Sequence, residues 1–319
     1  MNTHPKASVL IITYNHEKYI REAVMSVLKQ KTSFDIEIVI ADDCSTDKTS
    51  TILKDLQNQY PDRINLLLRN KNLGMNRNFW DGFVKCHGEY VGLLEGDDYW
   101  IDPYKLEKQV DLLVRTPQAT ICFGKVKMVD ENGDEIGYYP FSTLPNLLDV
   151  KFYLSFTYNI IHFGSAMVKS NLIEDMPDGF FELALGDWPF FIKNLLKGPA
   201  IYCNQTFSAW RHHRGGTWTT RKNIDRYVKT LNAAEYIIKN IPKQYKKQID
   251  KFCAYYLVRI VQESSINKIG DENFTCAKKA ITKWKFLTNT QRIGLWKIIL
   301  IYHFPSIYSL YKIIKQKYA

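Results

Sequence analysis

The sequence lacks the markers of several protein classes. Its six cysteines are scattered without a C-x-x-C pair, which argues against a zinc cage or a disulfide framework and favours a reducing compartment. No apolar run approaches the roughly 20 residues that span a bilayer. Neither G-x-G-x-x-G nor G-x-x-x-x-G-K-[ST] occurs, so a dinucleotide fingerprint and a P-loop are not supported. The first residues run straight into a strand-like segment, so we expect no signal peptide and a cytoplasmic protein.

Acidic residues are scarce in the last third of the chain. Residues 224–319 carry 18 Lys and Arg against 6 Asp and Glu, a net charge of +12, whereas the whole chain carries +10. A lysine-rich solvated surface is one interpretation, and attraction to an anionic membrane or acceptor is the other. The apolar stretch 294–315, which Pro305 interrupts, has two interpretations of its own: burial against the rest of the protein or a partner, or an interfacial amphipathic helix. This third reads as helices, predicted at 224–240, 245–267, 273–288 and 292–319.

Strand and helix patterns alternate in the first part of the chain. We predict strands at residues 7–15, 34–41, 64–68 and 90–94, with helices between them, and further strands at 119–129 and 161–168. This alternation predicts an α/β sheet layered with helices. Ligands of such sheets bind outside the carboxyl ends of the strands. Polar clusters follow three of the predicted strands, so we expect a site at that edge; the clusters are Thr13–Asn15, Asp42–Asp47 and Asp97–Asp98.

Two adjacent carboxylates, Asp97 and Asp98, follow the strand at 90–94. Like charges this close repel each other and raise one pKa. A hard divalent cation removes that cost, and Mg²⁺ typically combines one or two protein carboxylates with substrate phosphates. The pair therefore indicates a metal site, with a solvated turn as the alternative.

Two later segments contain further candidates. Asp187 opens a helical pattern at 188–196, and with Pro189 in the first turn it fits a helix N-cap. The run 210–218 is basic and glycine-rich and reads as a loop. Either of its arginines, Arg211 or Arg214, can pair bidentately with a diphosphate.

Five ordered motifs resemble the opening of the family 2 glycosyltransferases. They are Val9–Asn15 with Tyr19, Ile20 and Ser26–Leu28; Ala41–Thr49; Asn72–Gly74 with Arg77 and Asn78; Gly88–Val91; and Gly96–Asp98. The resemblance implies a GT-A fold, which is Rossmann-like with a predominantly parallel sheet layered with helices, here followed by a helical C-terminal region. It also implies a nucleotide-sugar donor, a divalent metal and inversion at the anomeric carbon. Cys44 departs from the glycine or small residue that is usual in the family.

The resemblance also assigns roles to single residues. Asp43, more than Asp42, matches a carboxylate that accepts the N–H of a uracil-like base, and Asp97 matches the one that faces the ribose. Arg77 matches a basic position beneath the donor, although an ordinary surface arginine is the alternative. The nucleotide-binding residues that the resemblance implies are Thr13, Tyr14, Asn15, Asp42, Asp43, Arg77 and Asp97.

Catalytic and metal roles follow from the same resemblance. Asp98 matches the ligand of Mn²⁺ or Mg²⁺, and His213 matches a histidine that binds the metal or a phosphate oxygen. Asp187 matches the general base, a role compatible with a helix cap, and Trp188 lies beside it as a diphosphate or acceptor contact. Because the Gln-x-x-Arg-Trp signature of processive synthases is absent, we expect transfer of a single sugar.

These expectations define a metal-dependent, hexosyltransferase-like enzyme. Its donor is expected to be a UDP-sugar and its acceptor a glycan or lipid-linked sugar in bacterial surface polysaccharide assembly, with no nucleic-acid partner. We expect two halves of a GT-A domain at 1–115 and 116–222 and a helical region at 223–319, which on the membrane interpretation lies peripherally on the inner face of the cell membrane. One alternative is a sugar-nucleotide nucleotidyltransferase, but such enzymes usually have a glycine-rich phosphate loop after the first strand, and residues 13–16 lack it. The other alternative is a non-catalytic sugar-nucleotide-binding module, and the presence of both Asp98 and Asp187 argues against it.

Overall fold

The computed structural model describes residues 5–216 and 221–263, together with residues 279, 282, 283, 287, 289 and 292. Two compact units divide the chain: Met1–Tyr153 with Tyr158–Thr219, and Leu154–Thr157 with Thr220–Ala319. The predicted boundaries at residues 115 and 222 stay a prediction. The apolar stretch at 294–315, on which the membrane interpretation rests, lies outside the described residues.

Four parallel strands form the first half of the sheet. They are β1 (Ala7–Thr13), β2 (Ile36–Asp42), β3 (Ile64–Leu68) and β4 (Tyr90–Glu95), in the order β3-β2-β1-β4. The register pairs Thr13 with Asp42 and Ile12 with Glu95. The polar residues that follow these strands therefore meet at one edge, and the four strands predicted in this part of the chain are confirmed.

Helices cover both faces of this half-sheet. Helices α1 (Ile20–Leu28), α2 (Thr49–Gln59) and α4 (Lys105–Arg115) bury their apolar stripes in one core with alternate residues of β1 and β2. Helix α3 (Met75–Phe83) lies on the opposite face, where Gly82 packs on Leu10 and Ala41. Burying each Val, Leu or Ile side chain stabilises the fold by about 1.5–3 kcal/mol.

The second half of the sheet is mixed. It contains β5 (Tyr99–Trp100), β6 (Ile121–Val129), β7 (Glu135–Tyr139), β8 (Leu147–Leu148), β9 (Met167–Lys169) and β10 (Ala200–Arg211). Strand β9 runs antiparallel between β4 and β6, while β6 and β10 are parallel. The parallel arrangement that we predicted thus holds for β1 to β4 and is interrupted by β9.

Two local predictions are corrected. The predicted strand at 161–168 is wrong in its first part, because Phe163–Ser165 forms a 3-10 helix whose start His162 caps. The predicted loop at 210–218 begins later, since β10 continues through Arg211.

Two short and two long helices complete the described residues. Helix α5 (Val150–Tyr153) precedes the 3-10 turn, and α6 (Asp187–Leu195) begins at the predicted base. In the second unit, α7 (Asn223–Asn240) and α8 (Lys246–Glu263) pack against each other, close to the predicted helices at 224–240 and 245–267. None of the helices in the described parts of the chain is long and apolar enough to cross a bilayer.

Candidate active site

The loops after β1 and β2 are tied together by hydrogen bonds. The Asn15 backbone N–H donates to the Ser45 hydroxyl at 2.9 Å, and the Asn15 side chain accepts the N–H of Thr46 at 2.7 Å. Asn15 has a φ of 56°, a left-handed conformation that asparagine tolerates better than most residues. Tyr14 is left exposed at the same edge, and Thr13 is buried. Thr13, at the end of β1, and the two residues that follow it thus lie at the same edge as Ser45 and Thr46.

Both aspartates after β2 hold backbone loops in place. Asp42 accepts hydrogen bonds from the hydroxyls of Ser45 and Ser50. Asp43 accepts the N–H groups of Leu73 and Gly74, at 2.7 and 2.9 Å, and so fixes the turn before α3. Burial raises the pKa of Asp43, and these two N–H groups oppose that shift. Contact of either carboxylate with a base stays a prediction.

Asp97 lies between two histidines. Its Oδ2 is 3.0 Å from Nε2 of His213 and 3.6 Å from Nε2 of His16. The Gly215 N–H donates to Nδ1 of His213, so Nε2 carries a proton and donates to Asp97. Burial raises the pKa of Asp97, but His16 and His213 outweigh it and leave the pKa below its usual value. Asp97 is therefore a well-stabilised anion.

Asp98 is buried, and its two carboxyl oxygens differ in their contacts. Its Oδ1 accepts the backbone N–H of Arg211 at 2.9 Å, whereas Oδ2 has no hydrogen bond within the described parts of the chain. Burial, followed by the charges of Asp97 and Glu95, raises the pKa of Asp98 well above its usual value. Ligand atoms of Glu95, Asp98 and His162 all lie within 4.8 Å of one another. The predicted ligands Asp98 and His213 are thus not joined directly: His213 contacts Asp97.

Asp187 is the first residue of α6, with Gly186 rather than Asp187 at the cap position. Its Oδ2 accepts a hydrogen bond from Nδ2 of Asn159 at 2.7 Å, and Tyr153 donates to Oδ1 of Asn159 at 2.6 Å. Burial raises the pKa of Asp187, while the N–H of Trp188 and the Asn159 amide oppose that shift. Asp187 is thus a positioned carboxylate with an increased affinity for a proton.

Asn76 holds the segment that leads to Asp187. Its Nδ2 donates to the carbonyl oxygens of Phe180 and Leu183, at 3.1 and 2.6 Å. A Cβ at Gly186 would lie 2.1 Å from Oδ1 of Asn76, so position 186 has no room for a side chain. Because Asn76 is on the first turn of α3, this contact connects the turn fixed by Asp43 to the start of α6.

The substitution Asn76→Ala is expected to lower the free energy of unfolding by about 1–3 kcal/mol, because it leaves two carbonyl oxygens without their donor. Urea denaturation measures this change. Asn70→Ala, at an exposed position, is the control and should change stability by less than about 0.5 kcal/mol. Equal stability of the two variants would contradict the anchoring role of Asn76.

The remaining predicted residues are placed as follows. The Arg211 guanidinium donates to the Glu22 carboxylate at 2.6 Å and to the Asp97 carbonyl at 3.1 Å, so it is already engaged. Arg214 is exposed, and its backbone N–H donates to Glu131. The Arg77 guanidinium lies over the ring of Phe181, 3.6 Å from its centroid. Trp188 is 3% exposed.

Residues 8–176, more than half of the chain, match the family model described as Glycosyl transferase family 2. The chain belongs to glycosyl transferase family 2. The resemblance inferred from the five motifs is confirmed. An uncharacterized protein of Mycobacterium bovis is 35% identical over 212 residues, which are 66% of this chain and 60% of that protein. This family 2 chain therefore spans less than two thirds of that relative.

Two solved structures are similar to the family 2 chain. Staphylococcus aureus TarS 1-349, in complex with UDP-GlcNAc, has a TM-score of 0.61 at 19% identity, covering 93% of this chain and 91% of that one. The mannosyltransferase PcManGT from Pyrobaculum calidifontis, in complex with GDP-Man and Mn²⁺, has a TM-score of 0.59 at 16% identity, covering 97% and 84%. These similarities confirm the predicted GT-A fold.

The residues around Asp98 fit a divalent cation. Asp98 Oδ2 is a buried carboxyl oxygen with no hydrogen bond from the described residues. Glu95 supplies a second carboxyl group, and its pKa is raised to about 8 by burial and by the charges of Asp97 and Asp187. Such repelling carboxylates are stabilised by a bound cation. His162 suits the ligand role less well. Burial lowers its pKa to about 3, and its Nδ1 accepts the Gly164 N–H, so the proton of the neutral ring is on Nε2, which faces Asp98.

Sequence reasoning missed four residues of this site. Glu95 and His16 adjoin the motifs described above. Their positions at the carboxyl ends of β4 and β1 could have identified them as candidate site residues. Asn159 and His162 had no such indication, since they come from an irregular segment whose position depends on long-range contacts.

Proposed function

We propose that this chain is an inverting glycosyltransferase that moves one sugar from a nucleotide-diphosphate donor to a hydroxyl group of a glycan or lipid-linked acceptor. Family membership supports the general activity. The observation that carries the proposal is the buried Asp98 oxygen that accepts no hydrogen bond from the described residues. It lies beside Glu95, whose pKa the charge of Asp187 helps to raise. This arrangement combines a place for a cation and its diphosphate with a carboxylate that can take up a proton.

Asp98 and Glu95 would hold the cation, Mn²⁺ or Mg²⁺. When bound, it would neutralise the charge that develops on the departing diphosphate. The carboxylate of Asp97 is stabilised instead by the hydrogen bond from His213 and by the neighbouring His16. The division of roles between the two adjacent aspartates thus follows from their different partners. A metal-binding role for His213 stays a prediction, since its Nε2 is engaged with Asp97.

Asp187 is the proposed general base. Asn159 fixes the position of one carboxylate oxygen, and the carboxylate would accept the proton of an acceptor hydroxyl group. Attack from the Asp187 side, opposite the leaving diphosphate, inverts the configuration at the anomeric carbon. The raised pKa of Asp187 brings it closer to the pH at which proton transfer is efficient.

We propose UDP as the nucleotide of the donor. The loops that follow β1 and β2 form a compact edge in which Thr13, Tyr14 and Asn15 lie beside Asp42 and Asp43. A base that enters there meets backbone and carboxylate acceptors, which suits the N–H of uracil. TarS, one of the similar structures, is in complex with UDP-GlcNAc.

Calorimetric titration of UDP into the full chain tests the proposal. With Mn²⁺ present, we expect UDP to bind at least about tenfold more tightly than without it, since diphosphate and carboxylates share the ion. GDP is the matched control and should bind more weakly than UDP. Absence of UDP binding in both conditions would refute the donor assignment, and equal affinity with and without Mn²⁺ would refute the metal assignment alone.

A further inference from the structure

Arg211 contacts the Asp97–Asp98 pair through both its main chain and its side chain. Its backbone N–H donates to Oδ1 of Asp98 at 2.9 Å, and its Nε–H donates to the carbonyl oxygen of Asp97 at 3.1 Å. That carbonyl belongs to the peptide group that joins the two aspartates. One residue at the end of β10 therefore holds both the Asp98 carboxyl group and the peptide group before it.

The far end of the Arg211 side chain is anchored on helix α1. Its Nη2 donates to Oε2 of Glu22 at 2.6 Å. The Arg211 side chain is 5% exposed, whereas that of Glu22 is 53% exposed. A buried guanidinium is costly unless its charge is paired, and Glu22 provides the pair. Glu22 therefore orients the buried guanidinium from the protein surface.

Two tyrosine rings pack on the same guanidinium. Its Cζ lies 4.8 Å from the ring centroid of Tyr19 and 5.2 Å from that of Tyr99, within the range of cation–π contact. The Tyr19 ring is also 4.7 Å from the ring of His213, whose Nε2 is 3.0 Å from the Asp97 carboxylate. The side chains that hold Asp97 and those that hold Arg211 thus share one ring.

These contacts decide which Asp98 oxygen is available to a ligand. Oδ1 is bound to the Arg211 N–H, and Oδ2 accepts no hydrogen bond from the described residues. Ligand atoms of Asp98 and Glu95 lie within 4.8 Å of each other, and a shift of the Asp98 side chain would change that spacing. Residues that orient a metal ligand in this way typically contribute 10- to 100-fold to metal affinity.

We propose that Arg211 is a positioning residue of the cation site, an inference that rests on the proposed function. Arg211, anchored by Glu22, holds the Asp97–Asp98 segment so that Oδ2 of Asp98 is presented to the divalent cation. This role differs from the diphosphate contact expected from the sequence, because Nε and Nη2 of Arg211 are engaged with protein oxygens.

A substitution by lysine separates this role from an effect of charge alone. Burial raises the pKa of Asp98, and the charge of Arg211 opposes that shift, so the charge by itself favours the ionised ligand. Lysine keeps the charge but lacks the planar fork, so it cannot bind Glu22 and the Asp97 carbonyl in the same geometry. Arg211→Lys should therefore weaken cation binding if position matters, and leave it unchanged if only charge matters.

Titration of MnCl₂ into the full chain, with free Mn²⁺ counted by electron paramagnetic resonance, tests the inference. We expect Arg211→Lys to weaken Mn²⁺ binding about 10- to 100-fold. Glu22→Gln removes only the anchor and should also weaken binding; about 0.5 M KCl screens the direct effect of its half-exposed charge. The matched controls, Arg115→Lys and Asp111→Asn, alter an exposed ion pair of α4 in the same two ways and should leave Mn²⁺ binding unchanged.

Weaker Mn²⁺ binding, with unchanged UDP affinity in the absence of metal, would support the inference. Unchanged Mn²⁺ affinity in Arg211→Lys, even with a lower Tm, would overturn it. A larger loss of metal-free UDP affinity than of Mn²⁺ affinity would also overturn it, because Arg211 would then contact the diphosphate. If Arg211→Lys does not fold, Glu22→Gln decides, and an Mn²⁺ affinity equal to that of the wild type would overturn the inference.

Failure of the proposed function has a different signature. Wild-type protein that binds UDP but no Mn²⁺ would refute the cation site itself, and this inference with it. Wild-type protein that fails to bind UDP would count against the donor assignment. Wild-type protein that binds both, with Arg211→Lys and Glu22→Gln equal to it, would refute the positioning role alone.

Discussion

Asp187→Asn is expected to slow the release of UDP from UDP-sugars by about 10²- to 10⁴-fold, the usual range for loss of a positioned general base. Asparagine has the shape of aspartate and its Oδ1 can still accept the Asn159 amide, but it cannot take up a proton. UDP affinity should be unchanged, because in the proposed mechanism the substituted group acts on the acceptor hydroxyl and not on the nucleotide. Hydrolysis of a panel of UDP-sugars, with water as acceptor, measures the rate.

The pH dependence provides a second readout for Asp187. Burial raises the pKa of Asp187, so the folded protein binds this proton more tightly than the unfolded chain does. Ionisation of Asp187 in the folded protein therefore lowers the free energy of unfolding as the pH rises toward and above that pKa. At neutral pH, Asp187→Asn should have a Tm at least as high as that of the wild type. The rate of the wild type should fall as the pH drops through the raised pKa, and the variant should lack that acidic limb. Glu182→Gln, at an exposed carboxylate of the preceding segment, is the control.

Two results would contradict the assignment of Asp187. If UDP affinity fell in proportion to the rate, the carboxylate would be acting through the donor site. If the variant unfolded, the role of Asp187 would be confined to starting α6.

Asp98→Asn is expected to abolish the stabilisation that Mn²⁺ gives to the wild type. A cation that binds only the folded protein raises its stability by RT ln(1 + [L]/Kd), about 2.7 kcal/mol at a concentration 100 times Kd. An amide at position 98 keeps an acceptor for the Arg211 N–H but loses the anionic oxygen. Thermal denaturation with and without Mn²⁺ measures the difference.

Without metal, the same variant should melt above the wild type. Asp98 is 2% exposed, and its charge is disfavoured by burial and by the neighbouring charges of Asp97 and Glu95. Removing that charge relieves the repulsion. Asp111→Asn, at a half-exposed carboxylate on α4, is the control and should respond to Mn²⁺ as the wild type does. An equal rise in Tm with Mn²⁺ in Asp98→Asn and wild type would disprove the ligand role of Asp98.

Much of the sheet edge that carries the site could be predicted, because it depends on patterns within short stretches of sequence. Apolar runs ending in Thr13, Asp42 and Glu95 define parallel strands, and parallel strands bring their carboxyl ends to one edge whatever follows. The buried face of α1, from Ile20 to Val27, likewise followed from its 3.6-residue period.

The partners of each carboxylate could not be predicted in this way. His213 and Asp97 are far apart in sequence, and only the tertiary fold decides that His213 contacts Asp97 rather than Asp98. The segment at 161–168 has the composition of a strand, but Trp100 donates to the Gly164 carbonyl at 2.9 Å and His162 caps a turn there. Tertiary hydrogen bonds thus override the local preference.

The contact between Gly186 and Asn76 also limits which substitutions these two positions can accept. Any side chain at position 186 would collide with the Asn76 amide. A smaller residue at position 76 would leave the carbonyl oxygens of Phe180 and Leu183 without the hydrogen bonds that Asn76 donates. Neither position can change first without harm, so an exchange would require two simultaneous substitutions or a stabilising change elsewhere. The two positions therefore constrain each other, and together they keep the segment that precedes Asp187 in place.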